Sequence, residues 1–527
     1  MSRKTLIIRL GSLGDVILTS AAALNLKLND PDQLVTFFTK EQFAPLVELF
    51  DGVDEIVTLP NDAGSWSYMS TLLDLDRRNF TTLVDLHGNL RSWLARKTVT
   101  ADRTLVYPKR RIERQHIVRR HGKRLPVSWP HTIDLYNSCL EHLGFAPYCA
   151  RPVLDASRLN KPHVEQLSGD GPLVVIAPGA AHPNKQWGLE RFAELARRLH
   201  QEKGCRILWA VATSTDVVPG LHESFPPGAY AELVGLPLED LAAVVAQAQL
   251  TLANDSGVAH LSSALGTPVV AVFGATHPAL GFAPRGLHDR IVQVDEPCRP
   301  CSLHGKRDCF RDKRYCFDRI EPDMVYDQAN DILHLQAKSR PALFVDRDGT
   351  VIVDKNFLAD PDGVELIPGA AQALAKAQSA GYSPVILSNQ SGVARGLMSI
   401  DDVERVNARV QDLLLAQEVE VAGFYYSPFH KDGSVTEFAR SSDTRKPGPG
   451  MAEQAALQLD LDLRRSVVIG DKADDVNLGR VLGCQSYLVL TGHGPEHEKT
   501  VAALPGDKKR IHNDLPTAVE YMLRERL

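Results

Sequence analysis

The strongest constraint on the fold is a local pattern that recurs along the chain. Short apolar runs stop at a glycine or an acidic residue, and stretches of helical period follow. "TLIIRLGSLGDVILTSAAALNLKL" opens one such series, "PLVVIAPGA" a second and "RPALFVDRDGT" a third. Apolar strands that alternate with helical crossovers build parallel sheets covered on both faces. At 527 residues the chain is too long for a single core. The expected organisation is α/β throughout, with domains at residues 1–165, 166–337 and 338–527.

The first stretch also has the outline of an export signal, with basic residues, an apolar run and then alanines. Arg9 and Asp15 would interrupt its apolar core, which argues for strand, turn and helix instead. No apolar run reaches the roughly eighteen residues of a membrane span. The formal net charge of −6 excludes a general nucleic-acid binder. The expectation is a cytoplasmic protein.

The third block carries four polar segments, each just past an apolar run. "FVDRDGT" sets Asp346 and Asp348 on one side of an extended segment. "ILSNQSG" brings Ser388, Asn389 and Gln390, whose hydroxyl and amides can hold phosphate oxygens. "RKPGPGM" brings Arg445 and Lys446, and "VVIGDKADD" brings Asp471, Lys472 and Asp475. Crowded carboxylates repel unless a cation sits among them, and Mg²⁺ prefers such oxygen ligands. In this order the segments resemble the haloacid dehalogenase superfamily of phosphatases, nearest the branch that removes the 7-phosphate of D-glycero-D-manno-heptose 1,7-bisphosphate. The histidinol-phosphatase branch is its neighbour.

The resemblance implies a HAD-like Rossmannoid domain that acts on a sugar bisphosphate. Asp346 would be the nucleophile and Asp348 the general acid and base. Lys446 and Ser388 would steady the phosphoryl oxygens, and Mg²⁺ would be held by Asp346, the Asp348 carbonyl and Asp471. Asn389, Gln390, Arg445, Lys472 and the segment "DKNF", starting at Asp354, would meet substrate. Relatives often carry a zinc loop of one histidine and three cysteines. Here only His430 remains, and one imidazole without thiolates is not a zinc site.

In the first two blocks, "RLGSLGDVILTSAAA", "DLHGNLRS", "APGAAHPNKQWGLERFAELARRL" and "NDSGVAHLSSALGTPVVAVFGATHP" resemble glycosyltransferase family 9, the ADP-heptose:lipopolysaccharide heptosyltransferases. That implies a GT-B-type pair of doubly wound Rossmann-like domains, with the acceptor on the first and the nucleotide-activated heptose on the second. Asp15 alone reads as a helix-capping residue; the resemblance makes it the general base. Lys185, Asp255, Ser256, Gly257 and His260 would hold the donor diphosphate, with Leu236 near adenine. A glutamate common in relatives is missing after "ILWAVA", where Asp216 can stand in. The basic stretch 103–124 suits an anionic acceptor such as inner-core lipopolysaccharide, with peripheral contact at the inner membrane.

Four of the eight cysteines crowd together, at Cys298, Cys301, Cys309 and Cys316. Four thiolates can complete a tetrahedral Zn²⁺ site; an iron–sulfur cluster and free thiols are the alternatives. Two other readings of the whole chain stand beside the bifunctional heptose enzyme. One pairs a transferase for another nucleotide sugar with a sugar-phosphate or histidinol-phosphate phosphatase. The other makes the first two blocks a non-catalytic glycan-binding module.

Overall fold

The computed structural model describes residues 3–120, 129–160, 167–504 and 510–525. The expected boundary at 165/166 and the end of the basic stretch, residues 121–124, lie outside them. The chain divides into two compact units, Met1–Gln336 and Ala337–Leu527.

The first unit holds two sheets. One consists of β1 (Lys4–Ile8), β2 (Leu34–Lys40), β3 (Glu55–Leu59), β4 (Phe80–Asp85) and β5 (Ala101–Val106), in the order β3-β2-β1-β4-β5. The other consists of β6 (Leu173–Ala177), β7 (Arg206–Val211), β8 (Tyr230–Val234), β9 (Leu250–Asn254), β10 (Val269–Val272) and β11 (Arg290–Val292), in the order β11-β10-β9-β6-β7-β8. The second unit has β12 (Ala342–Val345), β13 (Ser383–Asn389), β14 (Gly423–Ser427), β15 (Val467–Gly470), β16 (Gln485–Val489) and β17 (Ile511–His512), in the order β14-β13-β12-β15-β16-β17. All the strand pairings in the three sheets are parallel.

Each sheet starts in the middle, winds one way and then returns to wind the other. The two strands flanking the reversal are β1 and β4, β6 and β9, and β12 and β15. Loops leaving such a pair splay apart and open a crevice at the carboxyl ends of the strands. The central strands explain the apolar runs. "LVVIA" of β6, "LTLAN" of β9, "ALFV" of β12 and "VVIG" of β15 are buried at every position. Helices cover both faces, so no polar alternation is needed.

The stretch that resembled an export signal is β1, a turn and the helix Leu13–Leu18. Gly11 has φ +149°, a conformation that residues with a side chain rarely adopt. Gly14, which by sequence reads like Gly11 as a residue of the strand-to-helix turn, instead lies inside the helix. It meets His260, which leads into the candidate site.

Candidate active sites

In the first unit the two crevices form one cleft of about 720 Å³. The helix Leu13–Leu18 leaves β1, and the helix Gly257–Ala264 follows β9. Their first turns touch. A Cβ on Gly14 would stand 2.5 Å from the His260 ring, and one on Gly257 would stand 2.6 Å from Leu13. These two glycines let the lobes close on each other.

Asp15 lies in the first turn of its helix, where Ser12 Oγ donates to its carboxylate at 3.1 Å. The capping role and a cleft-lining position therefore coincide. Arg9 reaches the same carboxylate at 2.5 Å. Its guanidinium is buried, donates to Gly11 O at 2.8 Å and to Leu86 O, and lies over the Tyr136 ring. Burial alone would raise the Asp15 pKa. Arg9 and Ser12 overcome that and hold it below the usual carboxylate range.

Across the cleft, Lys185 Nζ stands 2.7 Å from Asp255 Oδ2, and Thr276 Oγ1 donates to the same oxygen at 2.6 Å. Asp255 is thus an anchor for Lys185 rather than a free ligand. Ser256 Oγ and His260 Nδ1 are buried without hydrogen-bond partners. Burial lowers the His260 pKa, which leaves the ring neutral at pH 7. Leu236 lines the apolar end with Leu233, Leu238 and Leu241, and Asp216 lies beside Gly179 there. The cleft thus gathers all the expected transferase residues. It also holds His304 and Lys306, which the sequence reading missed because they ride on the irregular cysteine segment.

On that segment the cysteines expected to hold Zn²⁺ are not brought into ligand geometry. Its four cysteines line one small cavity, but no three of their sulfur atoms lie mutually within 4.8 Å. A tetrahedral site with Zn–S near 2.3 Å needs sulfurs about 3.8 Å apart. The segment is pinned by another device. Arg299 is buried and donates to Phe273 O at 3.1 Å, Thr276 O at 3.0 Å, Gln293 Oε1 at 2.9 Å and Gly274 O at 2.5 Å.

In the second unit the reversal between β12 and β15 brings Asp346 and Asp471 together. With Asp475 they form the only group of three or more potential ligands, all within 4.8 Å, among the described residues. Lys446 threads between them, with Nζ 2.8 Å from Asp346 Oδ1, 2.6 Å from Asp475 Oδ1 and donating to Leu387 O at 2.7 Å. Burial works against its charge, but the two carboxylates hold its pKa above the usual range. Asp346 is held below its ordinary value, because Lys446 and Lys472 outweigh its burial.

Asp471 Oδ1 is buried with no hydrogen-bond donor. Burial, then the Asp346 charge, pushes Asp471 up to about 8. A carboxylate oxygen left without a donor beside two others matches the chemistry of a hard divalent cation. The His493 N–H donates to Asp471 Oδ2 at 2.8 Å, and Gly349 and Gly492 pack so close that neither could carry a Cβ. Asp475, which opens the helix Ala473–Leu482, was left out of the expected metal set.

The Asp348 side chain lies outside this carboxylate group. It turns away from this group to Arg347 at 3.0 Å, and accepts from Gln390 Nε2 at 2.9 Å and Ser388 Oγ at 3.3 Å. Its carboxyl group stands beside Ser388 and Gln390 instead. Asn389 is occupied too. Its amide accepts from Lys446 N at 2.9 Å and donates to Lys446 O at 3.2 Å, so it positions that loop. Lys472 and His493 both face Asp354, at 3.8 and 3.3 Å. Arg445 Nη1 donates to Phe429 O at 3.4 Å. The loop around His430 is closed by a Phe429–Phe438 ring contact at 5.9 Å, with Arg440 over Phe429.

Two catalytic units are thus joined in one chain, a glycosyl-transfer unit and a phosphatase unit of the HAD type. The profile of glycosyltransferase family 9 (heptosyltransferase) matches residues 70–309, and a HAD-hydrolase-like profile matches residues 443–518. The D-glycero-D-manno-heptose-1,7-bisphosphate 7-phosphatase of Thermosynechococcus vestitus is 39% identical over 187 residues, 35% of this chain and 95% of that protein. The D-glycero-beta-D-manno-heptose-1,7-bisphosphate 7-phosphatase of Salmonella typhi is 39% identical over 157 residues, 30% of this chain and 84% of that protein. A family 9 glycosyl transferase structure from Veillonella parvula covers 63% of this chain and 97% of its own, at 22% identity and a TM-score of 0.50, and shares the GT-B fold. The chain belongs to the heptose-1,7-bisphosphate 7-phosphatase family through its second unit, and its first unit carries the match to glycosyltransferase family 9 over residues 70–309.

Proposed function

We propose that the second unit hydrolyses the 7-phosphate of D-glycero-D-manno-heptose 1,7-bisphosphate. The first would transfer heptose, with inversion, from ADP-heptose to an anionic oligosaccharide such as inner-core lipopolysaccharide. The observation that carries the phosphatase half is the Asp346–Lys446–Asp475 array beside Asp471. Asp346 attacks phosphorus while the bond to the sugar O7 breaks, and Asp348 gives that oxygen its proton. Asp348 then takes a proton from water as the water displaces Asp346 and releases phosphate. Lys446 and Ser388 hold the equatorial oxygens. Arg445, Lys472 and Asp354 orient the sugar. Asp346, Asp471 and the Asp348 carbonyl are suited to hold Mg²⁺, which would neutralise phosphoryl charge.

In the first unit Asp15, kept ionised by Arg9, takes the proton of the acceptor hydroxyl as the anomeric bond to ADP breaks. Lys185, Ser256 and the N–H groups that open the helix Gly257–Ala264 receive the leaving diphosphate. His260 lends it a neutral ring, and Leu236 shelters the base. Two assays test the reading. With Mg²⁺, the chain should release one phosphate from the heptose bisphosphate, and with acceptor it should release ADP from ADP-heptose. Brisk turnover of histidinol phosphate or of a UDP- or GDP-sugar, with neither heptose compound used, would replace it.

A further inference from the structure

The three most exposed large apolar side chains among the described residues are Trp66 at 89%, Leu90 at 79% and Ile112 at 71%. They are not scattered. Each is the first or second residue of its helix: Ser65–Asp76, Leu90–Thr98 and Arg111–Arg119. Those helices follow β3, β4 and β5 of one parallel sheet, so their first turns all stand at its carboxyl edge. That is the edge from which β1 delivers Asp15. Side-chain bonds draw the turns together. Tyr68 Oη donates to Arg91 O at 2.5 Å, Lys109 Nζ to His87 O at 3.0 Å and Arg111 Nη2 to Gly88 O at 3.2 Å. Trp93, 46% exposed, lies one turn further along the second helix.

The same turns are basic. Arg91, Arg110 and Arg111 are exposed and Lys109 is half-buried, against the acidic Asp62 and Glu113. Exposed tryptophan and branched aliphatics rimmed by arginine suit the boundary between lipid headgroups and acyl chains. We propose that this edge docks the first unit on an anionic phospholipid bilayer, through Trp66, Leu90, Trp93 and Ile112 with Arg91, Arg110 and Arg111. The acceptor side of the cleft then faces the membrane, a consequence that rests on the transferase reading above. The docking itself does not.

The test uses the full chain, with neither donor nor acceptor present. All five tryptophans lie within residues 1–336, so fluorescence reads this unit alone. Vesicles with 40% phosphatidylglycerol should bind the protein in sedimentation and shift its emission to the blue, whereas phosphatidylcholine vesicles should bind it far less. The Trp66→Ser/Leu90→Ser variant should lose about tenfold or more in binding. Arg110→Glu and Arg111→Glu should each lose about fivefold or more, an effect weakened by salt. All these sites are exposed, and unchanged circular dichroism and melting would show the variants folded. Equal binding of wild type and variants, or none to anionic vesicles, overturns the proposal. So does a concentration-dependent dimer that the Trp66→Ser/Leu90→Ser change abolishes, since a second copy would then cover the edge. Neither result would touch ADP release with a soluble acceptor, which tests the transferase reading separately.

Discussion

Replacing Arg9 by methionine tests how the first unit keeps its base charged. The Arg9 side chain is 4% exposed and that of Asp15 is 24% exposed. Removing one partner of a buried ion pair costs about 3–5 kcal/mol. Asp15 keeps Ser12 and some contact with water, so a smaller cost, about 2–3 kcal/mol, is expected at pH 7. The sign with pH follows from the depressed Asp15 pKa. The stabilisation is complete above the unfolded carboxylate value, near 3.9, and is lost as pH falls through the lower folded value. The gap between wild type and variant should therefore close below about pH 4. Urea unfolding followed by tryptophan emission measures it in this unit alone. Without Arg9, the Ser12 hydrogen bonds are the main opposition left to burial, and the Asp15 pKa rises. The acid limb of kcat/KM for transfer should move to higher pH, which lost packing alone would not cause. Asp15→Asn and Arg9→Met should also be non-additive by about 1.5–3 kcal/mol. Wild-type stability in Arg9→Met, or an unmoved acid limb, refutes the reasoning.

Asp346→Asn should reduce phosphate release by about 10⁴ or more while ADP release persists, as read by parallel assays on one sample. Because Asp471 is pushed up to about 8, the metal-free second unit should lose stability as pH rises from about 4 towards 8. Mg²⁺ should cancel that loss and bind with proton release, so its thermal shift should be larger at pH 8 than at pH 6; a shift independent of pH would contradict this. Trp187 is buried, donates through Nε1 to Ile320 O at 3.0 Å and lies two residues beyond Lys185. Trp187→Ala should cost about 3–5 kcal/mol by urea unfolding and raise KM for the nucleotide sugar more than it lowers kcat.

Much of this was legible because parallel sheets write themselves into sequence. A strand buried on both faces must be apolar throughout, and the residue after it faces the crevice. Asp346, Asp471 and Asp255 were found that way. What stayed hidden depended on contacts between distant segments. Gly14 reads as a turn residue, yet its lack of a side chain serves His260, far along the chain. Asp475 looks like an ordinary first-turn acid until Lys446 is seen against it. Asn389 has the chemistry of a phosphate ligand, but its amide is spent on the Lys446 backbone. The cysteine spacing suggested metal, whereas arginines hold that segment, Arg299 on backbone oxygens, Arg311 and Arg319 on the buried Glu296, and Arg314 on Pro183 O and Gln186 O, none of them in a motif.

The ring contact of Phe429 with Phe438, under Arg440, together with hydrogen bonds such as His430 N–H to Phe438 O at 3.2 Å and Arg445 Nη1 to Phe429 O at 3.4 Å, fastens the loop leading to Arg445 and Lys446 without thiolates. A cell starved of transition metals would leave that fastening untouched. Chelation should silence this phosphatase only by stripping the magnesium-class ion, and replenishing that ion should revive it in full. Relatives whose loop is knotted by thiolates would instead have to rebuild the knot.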